Sequence, residues 1–425
     1  MSTARARDLL SFIDSSPTPY HAVKEVVRRL EAAGFARLEE GAEWKLAPCE
    51  LRYVIKNETT IVAFQVGEAS PAEAGFVMIG AHTDSPVLKL KPNAAYSQSG
   101  FRQIGVEVYG GVLLSTWLDR DLSIAGRLSV LRNGRIESAL VDLGRPVLRI
   151  PNLAIHLNRE VNKAGLILDP QKNLPPLFAL DGDVDALLQR CAERAGAKLP
   201  DVLGFDLSLY DTQEAELGGL EDDFVFAARL DNLASCHLAT SALVESTKRT
   251  KATKLIVLYD HEEIGSRSAQ GAEGPFLRQT LERIVDATGA ERQGFARAMS
   301  QSFLISSDMA HGVHPNYADR HEPKHAPAIG KGPVIKTNAG QSYATDGSTA
   351  ARFALCCKES GFAPQQFVTR TDLPCGSTIG PITAAALGVK AVDVGNPMLA
   401  MHSIRETAGV ADVELMFRAM SVALG

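Results

Sequence analysis

What this sequence lacks narrows the field first. None of the six cysteines in its 425 residues sits in a CxxC pair. Cys49, Cys191, Cys236, Cys356, Cys357 and Cys375 therefore read as buried thiols of a reducing cytoplasm, not as a disulfide framework. No apolar run approaches the ~18 residues that a membrane helix needs. The N-terminal stretch offers only "LLSFI" as an apolar centre, too short for a secretory signal. Charge of one sign is also scarce. A formal net charge of −6 supplies no electrostatic reason to bind nucleic acid or an anionic membrane. The basic cluster "KRTKATK", 248–254, reads as a solvated surface segment.

What is present is ordinary globular material, 45% hydrophobic and 22% charged, in a chain long enough for two or three domains. "PYHAVKEVVRRLEAAG" places Val23, Val26, Val27 and Leu30 on one helical face and stops at Gly34. The runs "LRYVI", "TIVAFQV" and "GFVMIGAHTDSP" read as strands. From about Pro92 the texture turns β-rich. Asn133-Gly134 separates two alternating runs, a hairpin signal, and "LGFDLSLYD" alternates with Leu203, Phe205, Leu207 and Leu209 on one face. A helix from about Gly182 to Ala195 lies between them. The α/β rhythm resumes with a helix near Asn232, the strand "KLIVLYD", the helix "PFLRQTLERIVDAT" and the strands "SFLISSD" and "VKAVDVG". The expected plan is a doubly wound mixed α/β sheet flanked by helices, spanning 1–91 and 224–425. A β-rich domain, 92–223, interrupts it.

The chemistry gathers just past the apolar strands. "VMIGA" leads into His82-Thr83-Asp84, "LIVLYD" into Glu262-Glu263, "FLIS" into Asp308, and "AVDVG" through "NPMLAM" into His402. Open α/β sheets bind ligands beyond the carboxyl ends of their strands, so these groups can converge. Asp231 opens the helix of "RLDNLAS", where the bland reading is a helix cap. Together His82, Asp231, Glu263, Asp308 and His402 form a nitrogen and oxygen donor set suited to zinc, with cobalt or manganese as substitutes. Two divalent ions bring +4 and the three carboxylates −3, leaving +1 to hold a hydroxide. The pattern is not a helical HExxH, because Gly265 stands four after His261. Glu263 would ligate and Glu262 would act as general base. "CGSTIGP" lacks the GxSxG of a nucleophile elbow and reads as lining for a cleft. His261, His311 and His314 read as structural, and Cys356 and Cys357 as core.

"SPTPYHAV", "GAHTDSP", "RLDNLAS", "DHEEIGS", "SSDMAHGVHPNY", "CGSTIGP" and "MHSIRE", in this order, resemble the aspartyl aminopeptidases, dinuclear zinc exopeptidases of peptidase family M18. The resemblance implies one zinc on His82, Asp231 and Asp308 and a second on Asp231, Glu263 and His402, with Asp231 bridging. It implies that Asp84 orients His82 and that the Asp231-Asn232 bond is cis. Lys336, assisted by Tyr343, would receive the side chain of an N-terminal Asp or Glu, and a solvated lysine is the alternative. His156 would reach a neighbouring subunit's active site from a dimerisation or lid domain and help stabilise the oxyanion there, and a satisfied structural histidine is the alternative. The family assembles as dimers and tetrahedral dodecamers. Two other functions stay open on the residues alone: a metal-dependent deacylase of amino-acid derivatives, and a non-catalytic assembly protein.

Overall fold

The computed structural model describes residues 3–246, 248–290 and 292–425, in two compact units. The first comprises 1–84, 215–401 and 406–425, and the second 85–214 with 402–405. The first unit is built on a nine-stranded mixed sheet. Its middle runs Thr60–Gln65, Thr253–Tyr259, Phe76–His82, Phe303–Ser307 and Lys390–Gly395 in spatial order. Phe76–His82 pairs in parallel with both Thr253–Tyr259 and Phe303–Ser307, which brings their carboxyl ends to one edge.

These strands are apolar on both faces because helices cover both. On one side Pro19–Ala32, Leu230–Val244 and Val410–Leu424 pack over Ile79, Ala81, Ile256 and Ile305. On the other, Phe276–Ala287 packs Phe276, Leu277, Leu281 and Ile284 against Met78, Leu255, Val257 and Leu304. In the Pro19–Ala32 helix Val23, Val26 and Leu30 are buried, at the helical spacing of the sequence. A second, five-stranded sheet of strands two to four residues long joins Glu216–Gly218, Phe224–Ala227, Glu406–Gly409, Pro397–Leu399 and Ala310–His311. Its strands are too short to carry a period-two signal, so the sequence reading missed it.

The second unit is a six-stranded antiparallel sheet around its own core, with Ile104, Ile124, Leu128, Leu207 and Leu209 buried. Asn133 and Gly134 both have positive φ, 50° and 75°, and close the hairpin between Leu122–Arg132 and Arg135–Asp142. That is the turn geometry matching strand twist. This unit begins at Ser85 instead of 92 and ends at Glu214 instead of 223, because Val87–Gln98 is one continuous strand of its sheet.

Other sequence readings need correction. A register shift between Val202 and Gly204 breaks the alternation there, and Leu203 is 57% exposed. Lys254 is not on a solvated face. It is buried in the strand Thr253–Tyr259 and donates to Ser246 Oγ at 2.5 Å and to the Lys248 carbonyl at 2.6 Å. All six cysteines are free thiols, but Cys49, Cys356 and Cys375 are only partly buried. Among the described residues no helix is long and apolar enough to cross a membrane.

One glycine fixes the geometry that matters below. Gly395 ends its strand beside Asp308, whose N–H donates to the Val394 carbonyl at 2.9 Å. A Cβ at position 395 would collide with the Asp308 carbonyl and the Met309 backbone. Gly395→Ala should therefore displace Asp308 and destabilise the fold by about 1–3 kcal/mol, read from the midpoint of urea unfolding. An unchanged midpoint would show that the backbone there yields freely.

Candidate metal centre

His82 is the last residue of its strand and is buried. Its Nδ1 lies 3.0 Å from the Asp84 carbonyl, an acceptor, so this nitrogen carries a proton and Nε2 is turned to the site. Nε2 is 3.5 Å from Asp308 Oδ1 and 3.6 Å from Asp231 Oδ1. The three side chains offer ligand atoms within 4.8 Å of one another, and all three residues are buried. His82, Glu262 and Glu263 form a second such group.

Each member is positioned by local structure. Asp231 lies in the first turn of Leu230–Val244, where Asp231 and Asn232 depart from helical dihedrals and the bond between them is cis, as the resemblance implied. Its N–H donates to Glu406 Oε2 at 3.1 Å, while Asn232 Nδ2 donates to the Ser307 carbonyl at 2.8 Å. The helix-cap alternative for Asp231 does not apply: the cap position is Arg229, and Asp231 is inside the helix's first turn. Further along the helix, Cys236 Sγ donates to the His82 carbonyl at 2.9 Å and ties it to the strand end. Glu262 and Glu263 lie in a single 3-10 turn following Tyr259. The Asp84 carboxylate accepts both of their N–H groups, at 3.2 and 3.1 Å, and its Oδ1 lies 3.4 Å from His82 Nδ1. One carboxylate thus clamps the imidazole and the paired glutamates together.

The electrostatics are those of crowded like charge. Burial raises the Glu262 pKa well above the usual carboxylate range; His82 opposes this, and Asp308, Glu263 and Asp84 add to it. Burial would lower His82, but hydrogen bonds to Asp308 and Asp84 outweigh it and hold the imidazole well above its ordinary value. Burial would raise Asp308, yet Lys336 and His82 hold it well below the ordinary carboxylate range. Asp84, Asp231, Glu262, Glu263 and Asp308 gather around His82, and Lys336 reaches Asp308. Carboxylates crowded around an imidazole are eased by a cation, and a histidine–carboxylate donor set suits zinc. The residues fit the metal.

Lys336 is 2% exposed, so the solvated alternative does not hold. Its Nζ donates to Asp308 Oδ2 at 3.3 Å and to the Met309 carbonyl at 3.2 Å, and lies 5.1 Å from the centre of the Tyr343 ring. Two of its three ammonium protons are used there. Tyr343 opens onto a cleft of about 300 Å³ lined also by His311, His314, Phe367, Arg370 and Gly376. His311 packs against the Phe367 ring, 5.9 Å between centres. His314 Nδ1 accepts from Asn316 N at 3.2 Å and caps the turn Pro315–Arg320. His261 is held by Ser268 Oγ at 2.8 Å. These three histidines buttress loops, the reading the sequence suggested.

Two site candidates are carried by the second unit. His402 is half-buried, with φ 68° and Nδ1 3.0 Å from the Gly111 carbonyl, which leaves its Nε2 without that proton. His156 is exposed in the turn Ile155–Leu157, among Leu153, Ile155 and Leu157, at 57%, 46% and 75% exposure. Sequence reasoning missed Glu406 and Cys236 as supports of the site. Glu406 closes the motif "MHSIRE" and Cys236 lies on the helix after Asp231, but only the fold shows what they touch.

A cluster of imidazole and carboxylate ligand atoms at the ends of parallel strands has the donor set of a metal-dependent enzyme. The sequence matches the family model described as aminopeptidase I zinc metalloprotease (M18) over residues 12–422. It is 48% identical over 419 residues to a probable M18 family aminopeptidase 2 of Ectopseudomonas mendocina, covering 97% of this chain and 96% of the relative. Among solved structures, Ape4 in a complex with Nbr1 is 39% identical with a TM-score of 0.96, covering 99% of this chain and 85% of that one. The S. cerevisiae mApe1 dodecamer is 31% identical with a TM-score of 0.87, covering 98% and 95%. The chain belongs to the M18 family of zinc metallo-aminopeptidases.

Asp84 should be a positioning residue for the metal. Asp84→Ala is expected to weaken zinc binding about 10–100-fold in a chelator-competition titration. Unchanged affinity would show that the backbone carbonyl alone holds His82.

Proposed function

We propose that this chain is an aminopeptidase selective for N-terminal aspartate and glutamate, working with two zinc ions per subunit that cobalt or manganese could replace. His82, Asp231 and Asp308 would hold one ion, and Asp231, Glu263 and His402 the other, with Asp231 shared. The observation that carries this reading is the set of carboxylate ligand atoms gathered around buried His82, beside a buried lysine whose neighbour Tyr343 lines a cleft. When bound, such an ion pair polarises the scissile carbonyl and lowers the pKa of water toward ~7.

The chain's own residues do the rest. Glu262, whose proton affinity is raised by burial and neighbouring carboxylates, takes a proton from the attacking water and returns it to the leaving amine. Asp84 keeps that glutamate's turn and the His82 ring in fixed register. Lys336 has one ammonium proton beyond those given to Asp308 and Met309, and directs it at the substrate's side-chain carboxylate, with Tyr343 walling the pocket. The second unit is read as a dimerisation and lid element, with His156 offered to a neighbouring subunit. The dodecameric neighbour supports self-association. Six free thiols support a reducing, cytoplasmic setting.

Purified protein should be stripped by chelator, reloaded with Zn²⁺, Co²⁺ or Mn²⁺ singly, and assayed on Asp-, Glu-, Leu- and Lys-arylamides. Activity should vanish and return with metal, and Asp and Glu should be preferred. Equal cleavage of the Leu substrate would contradict the specificity. Glu262→Gln should keep its metal while turnover falls by about 10²–10⁴-fold. Lys336→Ala should collapse the ratio of acidic to neutral hydrolysis, and an unchanged ratio would remove Lys336 from recognition.

A further inference from the structure

Two surfaces, one carried by each unit, complement each other in chemistry. The first is a hairpin tip. Glu216–Gly218 and Phe224–Ala227 pair antiparallel, and the loop between them is Gly219-Leu220-Glu221-Asp222-Asp223. Leu220 is 97% exposed, more than any other large apolar residue among those described, and three exposed acids follow it. The tip is stiff at its base. Phe224 and Phe226 stack with ring centres 6.0 Å apart, and the Phe226 ring closes over Gly218, where no Cβ fits. Gly219 turns the chain with φ of 90°. An isolated leucine held out on a rigid loop gains nothing from this chain's own core.

The second surface is a cavity of about 590 Å³ in the six-stranded unit. Its floor is apolar, with Leu148 and Leu187 buried and Val147 and Phe178 beside them. Its only charged linings are Arg145, Arg149, Arg190 and Asp121, so three positive charges against one negative leave a surplus of two. Arg149 is already engaged, 2.5 Å from Asp121. Arg145 and Arg190 are exposed at the rim. An apolar floor with a cationic rim fits an apolar side chain flanked by carboxylates, and Leu220-Glu221-Asp222-Asp223 has that composition.

We propose that Leu220 of one copy seats in the arginine-rimmed cavity of a second copy, with Glu221 and Asp222 meeting Arg145 and Arg190. Knob and socket are built from different residues, so the contact is heterologous, and each chain offers both halves. The proposal rests on the reading that this chain self-associates, and it names a contact through which it does so.

The test follows the mass distribution of the full-length protein by sedimentation velocity over a dilution series, with circular dichroism as a folding control. Leu220→Asp, and separately Arg145→Glu with Arg190→Glu, should each shift the protein to smaller species, weakening association by about ten-fold or more. Glu221→Arg with Asp222→Arg should do the same. Combining the knob reversal with the socket reversal in one chain should restore the larger species, which misfolding would not do. A parent protein that stays monomeric throughout would refute self-association, and the contact with it. An assembling parent with unshifted variants would refute the contact alone, and so would two weakened reversals without rescue. Parent assembly lost on adding a small apolar carboxylate, with Leu220→Asp unshifted, would show that the cavity is a ligand site instead.

Discussion

The candidate metal centre answers to one electrostatic constraint: Asp84, Asp231 and Asp308 are buried around the His82 imidazole at the ends of parallel strands. Like charges brought together out of water are costly unless they are compensated. Asp84 is neutralised in part by two backbone N–H groups, and Asp308 by Lys336. Such a crowd of carboxylates favours a cation, and a mixture of imidazole with carboxylates suits a zinc-like ion better than a purely oxygen-ligated one.

The sheet makes that concentration of charge feasible. Because Thr253–Tyr259, Phe76–His82 and Phe303–Ser307 run in parallel, their last residues emerge on one edge, where chain reversal exposes polar groups without breaking the ladder. Apolar clusters on both faces hold the strands in place, and the helix carrying Asp231 is anchored by hydrogen bonds from Asn232 to Ser307 and from Cys236 to His82. Close backbone approach at Gly395 completes the support of Asp308. Rigidity around the site is the means by which like charges are kept near one another.

Much of this was legible in the sequence. Strand ends followed by His, Glu or Asp are a local signal, and so is Asn133-Gly134 between alternating runs. What escaped was non-local. Leu203 fits the alternating pattern of its strand, and only the register shift beside Gly204 turns it outward. Lys254 looks like one more member of a basic cluster, but the strand it opens is central, so its ammonium is satisfied by Ser246 and a carbonyl. Lys336 read as a cation for a substrate, and nothing in "GPVIKTN" discloses its bond to Asp308, 28 residues earlier. Pairings of this kind depend on which strands become neighbours.

The most direct test of the central claim is anomalous diffraction at the zinc edge from crystals of the purified, active protein. The account predicts two peaks per chain, one of them about 2.0–2.2 Å from His82 Nε2 and the Asp231 and Asp308 carboxylates. An active protein whose crystals show no peak at His82, or zinc only at surface sites, would contradict it.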